Sequence, residues 1–224
     1  MKIRFIFLMI IFLPLIFALF YMKSVPIVYE SDFEANTNKP IKYENSYIFV
    51  NKAGNLKIIE HLFLNFYQES FIPSPIKGLQ VFNSGIIEGE NLYFVGTTRS
   101  RDSSKNVISK EIVISKFNIK SQSFLKQKLI APSFYRIEQS TKDLSVASRS
   151  KPIIYKDNLY FAFGHIFREP QDNFSGFIVK TNLDFDENSK YIYHTSPTGI
   201  GGGIWGFDAI NLHINHLYFN IGNC

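Results

Sequence analysis

The hydrophobic pattern of the chain changes character after residue 22. Residues 5–22, FIFLMIIFLPLIFALFYM, form an uninterrupted apolar run, close to the minimum of about 17 residues for a membrane-spanning helix. Beyond it, short apolar runs are separated by clusters of Gly, Asn, Asp and Ser, which is typical of strands joined by turns. No long stretch there has helical periodicity with caps. The pattern predicts an N-terminal hydrophobic helix followed by an all-β region.

The flanks of the apolar run indicate a signal anchor or a signal peptide within residues 1–23. Lys2 and Arg4 precede the run and Lys23 ends it, an arrangement typical of export signals. Ala18 is the only small residue, so a cleavage site is poorly formed and an uncleaved anchor is favoured over cleavage. Basic residues keep the N-terminus in the cytoplasm. The remainder is therefore predicted to face the periplasm or the extracellular space; cleavage would give a secreted periplasmic protein.

A repeated strand pattern follows a polar linker at residues 24–44. The letters NLYF at 91–94 and 158–161, and HLYF at 216–219, each follow an aliphatic run with a polar turn and precede a glycine. Tyr47 lies about one unit upstream. Four-stranded units repeated at such intervals are the signature of β-propeller blades. Residues 45–224 are thus predicted to form about four blades of an incomplete ring, with long loops at 99–106 and 131–150. Residues 61–71 are compatible with either a strand or a short helix.

Charge and cysteine content narrow the function classes only slightly. The net charge is +5, or +3 without Lys2 and Arg4, since 22 basic and 19 acidic residues then remain. No basic stripe is interleaved with aromatic residues, so nucleic-acid binding is not indicated. Cys224 is the only cysteine; an intrachain disulfide is therefore impossible.

A glycine-rich segment carries the most specific sequence signal. From Thr198 the chain reads TGIGGGIWGFDAINLHINHLYFNIGN, with the only tryptophan, Trp205, just after three glycines. The order GGG-x-W-G, a hairpin and an aromatic strand ending in Gly-Asn resembles the quinoprotein-like β-propellers, which include the pyrroloquinoline-quinone (PQQ) alcohol dehydrogenases. Residues 151–165, 175–179 and 193–199 resemble the inner strands, outer strands and exit loop of such blades. The resemblance covers roughly residues 145–224.

The resemblance implies a cofactor site. In the dehydrogenases, the Trp of the W-G motif lies under the planar quinone, a role that would fall to Trp205 beside Gly202 and Gly203. The Asn of Gly-Asn contacts calcium, which corresponds to Asn223, and Glu169 is the candidate for the calcium carboxylate. However, the dehydrogenases' paired-cysteine motif is missing from this chain, and their catalytic Asp would lie beyond Cys224.

Two further patterns suggest metal binding but are explained more simply. Residues 184–188 have D-x-D-x-N spacing, yet no glycine follows at the sixth position and no glutamate closes the loop. They are therefore predicted to form a hairpin turn. His213 and His216, three apart on a presumed strand, are expected on opposite faces and not to form a metal pair.

The sequence therefore predicts an extracytoplasmic, membrane-anchored, quinoprotein-like propeller. Its predicted role is a non-enzymatic binding or assembly module, or a truncated fragment, whose partners would be further propeller blades or an envelope protein. The alternative is a PQQ- and calcium-dependent oxidoreductase resembling the alcohol dehydrogenases. Residues 1–23 would provide the contact with the membrane.

Overall fold

The computed structural model describes residues 39–63, 66–81, 83, 85–101, 107–130, 145–147, 151–167, 173–194, 198–199, 209–214 and 216–220. Within these ranges the chain is built from strands and turns and contains no helix, which confirms the all-β prediction. The strands are β1 (Ile41–Tyr43), β2 (Ser46–Val50), β3 (Leu56–Phe63), β4 (Phe66–Ile72), β5 (Leu79–Val81), β6 (Ile86–Glu88), β7 (Asn91–Arg101), β8 (Val107–Asn118), β9 (Ser123–Ile130), β10 (Ser145–Ala147), β11 (Ile153–Tyr155), β12 (Asn158–Phe167), β13 (Asn173–Asn182), β14 (Lys190–His194), β15 (Thr198–Gly199), β16 (Ala209–His213) and β17 (His216–Asn220).

The strands form four antiparallel sheets, each made of strands that are consecutive in sequence. The first sheet has the order β1-β2-β3-β4. The second has the order β5-β7-β8-β9, with β6 also pairing with β7; the third has the order β10-β12-β13-β14, with β11 pairing with β12 and β15 with β13. The fourth consists of β16 and β17. Of the residues that are ambiguous in sequence, 61–63 belong to β3 and 66–71 to β4.

One tight hairpin recurs in all four sheets at equivalent positions. The pairs Tyr43↔Ser46, Glu88↔Asn91, Tyr155↔Asn158 and His213↔His216 each enclose a two-residue turn. The first turn residue has positive φ in every case: Glu44, Gly89, Lys156 and Ile214. Such turns match the right-handed twist of the flanking strands. The repeat seen in the sequence is therefore a repeat of one structural unit, beginning with the hairpin β1–β2.

The first and second sheets pack face to face. In the first sheet, Ile48, Val50, Leu56 and Ile58 share one face because of the register β2–β3. They form a buried cluster with second-sheet residues that include Leu92, Phe94, Val113 and Phe117. Burying each such side chain contributes about 1.5–3 kcal/mol. This cluster is what joins the two sheets.

The second sheet is buried on its other face as well. There Tyr93, Val95, Ile112 and Ile114 pack against third-sheet residues, among them Leu159, Phe161, Phe163, Phe177 and Val179. Neighbours along β7 thus face opposite sheets, since successive strand residues point to opposite faces. This explains why residues 92–95 are continuously apolar rather than alternating. β16 lies against β11 and β12, so the fourth sheet follows the third in the same order.

A loop of the third sheet closes the second interface. Phe185, in the connection between β13 and β14, is buried with a φ of 57°. Three lysines of the second sheet bind residues close to Phe185 in this loop. Lys116 Nζ donates to Asp184 Oδ1 at 2.8 Å, and Lys126 Nζ donates to the Asp184 carbonyl oxygen at 2.6 Å. Lys128 Nζ donates to the Glu187 carbonyl oxygen. The loop therefore fastens one sheet to the next.

Candidate functional site

The first sheet has a second face that is rich in aromatic side chains. Directly paired residues share a face of a sheet, and the registers of β1 to β4 place one set opposite the core. We call this set the outer face; it consists of Lys42, Tyr47, Phe49, Lys57, Ile59, His61, Tyr67, Glu69 and Phe71. In the second sheet, both faces belong to buried clusters.

Two aromatic residues of the outer face are largely exposed. Tyr47 is 45% exposed and Phe71 is 61% exposed. The hairpin repeat makes Tyr47 equivalent to Leu92 and Leu159, which are both fully buried by a preceding sheet. Exposed aromatic surface of this kind marks sites of interaction with other molecules. The outer face is therefore the strongest candidate for a functional surface in the described part of the chain.

An ion pair lies in the middle of the outer face. Lys57 Nζ is 3.2 Å from Glu69 Oε1, and their side chains are 12% and 33% exposed. Beside them, the rings of His61 and Tyr67 are 5.1 Å apart and tilted by 59°. The charges of the pair neutralise each other, so Lys42 is the remaining formal charge of the outer face. Phe49 and Ile59 also belong to the outer face, and both side chains are half-buried.

The fourth sheet presents a smaller polar and aromatic face. His213 and His216 are exposed, and their rings lie 6.5 Å and 6.4 Å from the ring of Tyr218, which is 54% exposed. The expectation that the two histidines point to opposite faces is wrong. A two-residue turn separates them, so they are cross-strand partners on one face. His216 Nδ1 lies 2.8 Å from the Ile214 carbonyl oxygen.

The cofactor-site residues predicted from the sequence cannot be placed. Trp205, Gly202, Gly203, Asn223 and Glu169 all lie outside the residues that the structure describes. The predicted anchor and most of the predicted linker lie outside them too, although β1 falls within the predicted linker. In the described ranges, there is no group of three or more His, Cys, Asp and Glu side chains suited to a metal ion.

The D-x-D-x-N segment forms the connection between β13 and β14, as predicted. Its carboxylates have protein partners: Lys116 binds Asp184, and Asn182 Nδ2 donates to Asp186. The hydrogen bond from Asn182 holds the pKa of Asp186 below its ordinary value. A calcium ion would have to displace these contacts, so the segment serves to join sheets.

The outer face was not anticipated from the sequence. Its residues are spread over β2, β3 and β4, and only the pairing register brings them to one surface. A usable signal did exist, because the hairpin repeat has Leu at positions 92, 159 and 217 but Tyr at position 47. An amphipathic aromatic residue in place of a core aliphatic one suggests a surface that is not closed by a neighbouring sheet.

Comparisons with known proteins do not assign the chain to a family. No protein-family model matches the chain, and no curated protein matches it. Among the described residues, no helix is long and apolar enough to span a membrane. The likeness to quinoprotein-like propellers thus remains a prediction that rests on the sequence motifs.

Proposed function

We propose that the chain is a membrane-anchored, extracytoplasmic segment of a quinoprotein-like β-propeller that serves as a binding and assembly module. The observation that carries this proposal is the contrast between buried and exposed positions of one repeat. Leu92 and Leu159 are fully buried where a neighbouring sheet packs on them, whereas the equivalent Tyr47 remains exposed at the outer face, beside the exposed Phe71. A face that occupies the position of an internal sheet interface, but carries exposed aromatic side chains, is suited to contact another protein surface.

The propeller assignment is supported by the order of the sheets. Each sheet is built from strands that are close in sequence, and the first three pack on one another in order through apolar faces. Propeller blades have this construction. A split edge strand, formed by β5 and β6 in the second sheet and by β10 and β11 in the third, recurs in successive sheets, as expected for repeats of one unit.

The location can be tested with fusions of two reporters after Cys224. Alkaline phosphatase folds to an active form only outside the cytoplasm, and a fluorescent protein that requires the cytoplasm gives the opposite result. We expect phosphatase activity and no fluorescence, because Lys2 and Arg4 retain the N-terminus inside. Strong fluorescence would contradict the proposed topology.

The assembly role can be tested on the full-length chain extracted in mild detergent. We expect the wild-type chain to migrate in native electrophoresis as a complex larger than one copy. Phe71→Glu should shift it to smaller mass, because a charge on the outer face opposes burial. Leu125→Glu is the matched control, since Leu125 is 52% exposed on β9, away from that face. A wild-type chain that migrates as a single copy would refute the assembly role.

The alternative function, a PQQ- and calcium-dependent oxidoreductase, rests on the resemblance carried by the glycine-rich segment and on Glu169. Its candidate residues are Trp205, Gly202 and Gly203 for the quinone, with Asn223 and Glu169 for calcium. Binding of PQQ in the presence of calcium distinguishes this function from the assembly role.

A further inference from the structure

The described sheets leave two faces exposed, one at each end of their stack, which correspond to the two sides of one repeating interface. At the first end, Tyr47 is equivalent to Leu92 and Leu159, which are each covered by the preceding sheet. At the other end, Tyr218 is equivalent to Tyr93 and Tyr160, which are buried on the side of the following sheet. Tyr218 itself is 54% exposed. One end therefore lacks a preceding sheet among the described elements, and the other lacks a following sheet.

The two ends also match in chemistry. The outer face combines Tyr47 and Phe71 with the self-neutralised pair of Lys57 and Glu69. The face of the fourth sheet combines Tyr218 with two imidazoles. Tyrosine is favoured at protein interfaces because it offers an apolar ring with a polar tip. Among the described residues, the outer face has one formal charge outside the pair, Lys42, and the fourth sheet contains no Lys, Arg, Asp or Glu.

We propose that copies of the chain associate head to tail, with the outer face of one copy packed on the Tyr218 face of a second copy. The proposal rests on the proposed assembly role and names the partner. Such a contact continues the internal stacking of sheets across two chains. It is heterologous, because different surfaces meet, and it forms a ring only where the rotation between copies closes. The two-stranded fourth sheet covers only part of the outer face, so we expect a dissociation constant on the order of micromolar.

Complementation between two blocked variants tests this geometry. The full-length chain is studied in mild detergent by sedimentation, with Tyr47→Glu to block one end and Tyr218→Glu to block the other. In a head-to-tail contact, each variant alone lacks one of the two required faces and stays a single copy. A mixture of the two retains one intact face of each kind, so one-to-one dimers are expected. The Leu125→Glu variant should associate like the wild-type chain.

Other outcomes overturn the proposal. If Tyr218→Glu alone still dimerises while Tyr47→Glu does not, the outer face pairs with itself. If the mixture stays as single copies although the wild-type chain associates, the contact uses other surfaces. If the wild-type complex persists but copies with two different tags do not co-purify, the partner is another protein, and the proposed assembly role survives without this inference.

Cross-linking gives a readout that does not depend on affinity. In a Cys224→Ser background, the chain has no other cysteine, so Tyr47→Cys and Tyr218→Cys can be combined from two tagged copies. Under mild oxidation, we expect disulfide-linked dimers that contain both tags in at least tenfold excess over dimers of Tyr47→Cys alone. Equal amounts of the two products would contradict a head-to-tail contact. Circular dichroism of each variant confirms that the strands have formed.

Discussion

The ring of Phe185 packs edge-on against the ring of Tyr93, with centroids 6.1 Å apart and planes at 78°. Phe185 comes from the loop between β13 and β14 of the third sheet, and Tyr93 lies near the start of β7 in the second sheet. Edge-to-face aromatic pairs contribute about 0.5–1.5 kcal/mol beyond the area they bury. The contact shows how a loop side chain completes the core between two sheets.

We expect Phe185→Ala to reduce the free energy of unfolding by about 3–5 kcal/mol, because it leaves a cavity in a buried interface. Phe71→Ala is the matched control: Phe71 is largely exposed, so its removal should change the free energy of unfolding by no more than about 1 kcal/mol. Denaturant unfolding followed by circular dichroism measures both. Equal changes in the free energy of unfolding would show that Phe185 does not stabilise the interface between the second and third sheets.

Gly85 should be intolerant of a side chain. A Cβ at this position would lie 2.4 Å from the Tyr93 carbonyl oxygen and 2.7 Å from Leu92 Cδ1. Because the obstacle includes backbone, Gly85→Ala should destabilise the protein by about 1–3 kcal/mol. Gly89→Asn is the control, since Gly89 has open space around it at φ +57° and Asn tolerates that conformation. A lower melting temperature for Gly89→Asn than for Gly85→Ala would contradict this prediction.

Stability should fall in alkaline solution. Burial raises the pKa of Tyr93 above its ordinary value of 10.0. Burial lowers the pKa of Lys116, but its hydrogen bond to Asp184 and the charges of Tyr93 and Asp184 outweigh this and raise the pKa above 10.5. The folded protein therefore keeps protons that the unfolded chain releases. The stabilisation is complete below the ordinary values and is lost as pH rises through the folded ones.

The measurement is a series of melting temperatures from neutral pH to beyond 10.5. We expect the double variant Tyr93→Phe, Lys116→Met to lose less stability over this range than the wild-type chain, because neither replacement titrates. Identical alkaline slopes for both proteins would assign the loss to other groups.

The cofactor alternative predicts binding of PQQ in the presence of millimolar calcium. Trp205 is the only tryptophan, so a quinone stacked on its ring should quench essentially all indole fluorescence. A chelator should restore the signal, and Trp205→Phe provides the blank. If excess PQQ with calcium leaves the emission unchanged, the oxidoreductase alternative fails and the assembly role is favoured.

Residues 24–224 expressed without the anchor should be poorly soluble or associated. Tyr47, Phe71 and Tyr218 are largely exposed, and exposed apolar faces and strand edges promote association between copies and aggregation. Light scattering after size-exclusion chromatography reports the mass. A monomeric product with one cooperative melt would contradict this expectation.

The local elements were predictable because they are encoded by neighbouring residues. The repeated NLYF letters identified the strands β7 and β12, and the turn at residues 52–55 was recognisable from Gly54. Neither required knowledge of distant contacts. The same reasoning failed for His213 and His216, where a two-residue turn converts a spacing of three into a cross-strand pair.

The surface that carries the proposed function could not be derived in this way. The face on which Tyr47 or Phe71 lies follows from the register of three strands, and a shift by one residue would reverse it. Whether that face is covered depends on the order in which sheets stack. Neither the register nor the stacking order can be derived from a single segment of the sequence. The predicted quinone and calcium residues lie outside the described ranges and remain predictions.

The consecutive order of strands in every sheet has a consequence for how the protein is made. Strand pairing joins only residues that are near one another in sequence, so the entropic cost of closing the loops is small. We expect each sheet to form as soon as its last strand emerges during synthesis or export. The first sheet then offers its buried face as a template for the second, and the second for the third. Maturation proceeds from the N-terminal end, one layer at a time, without waiting for the rest of the polypeptide.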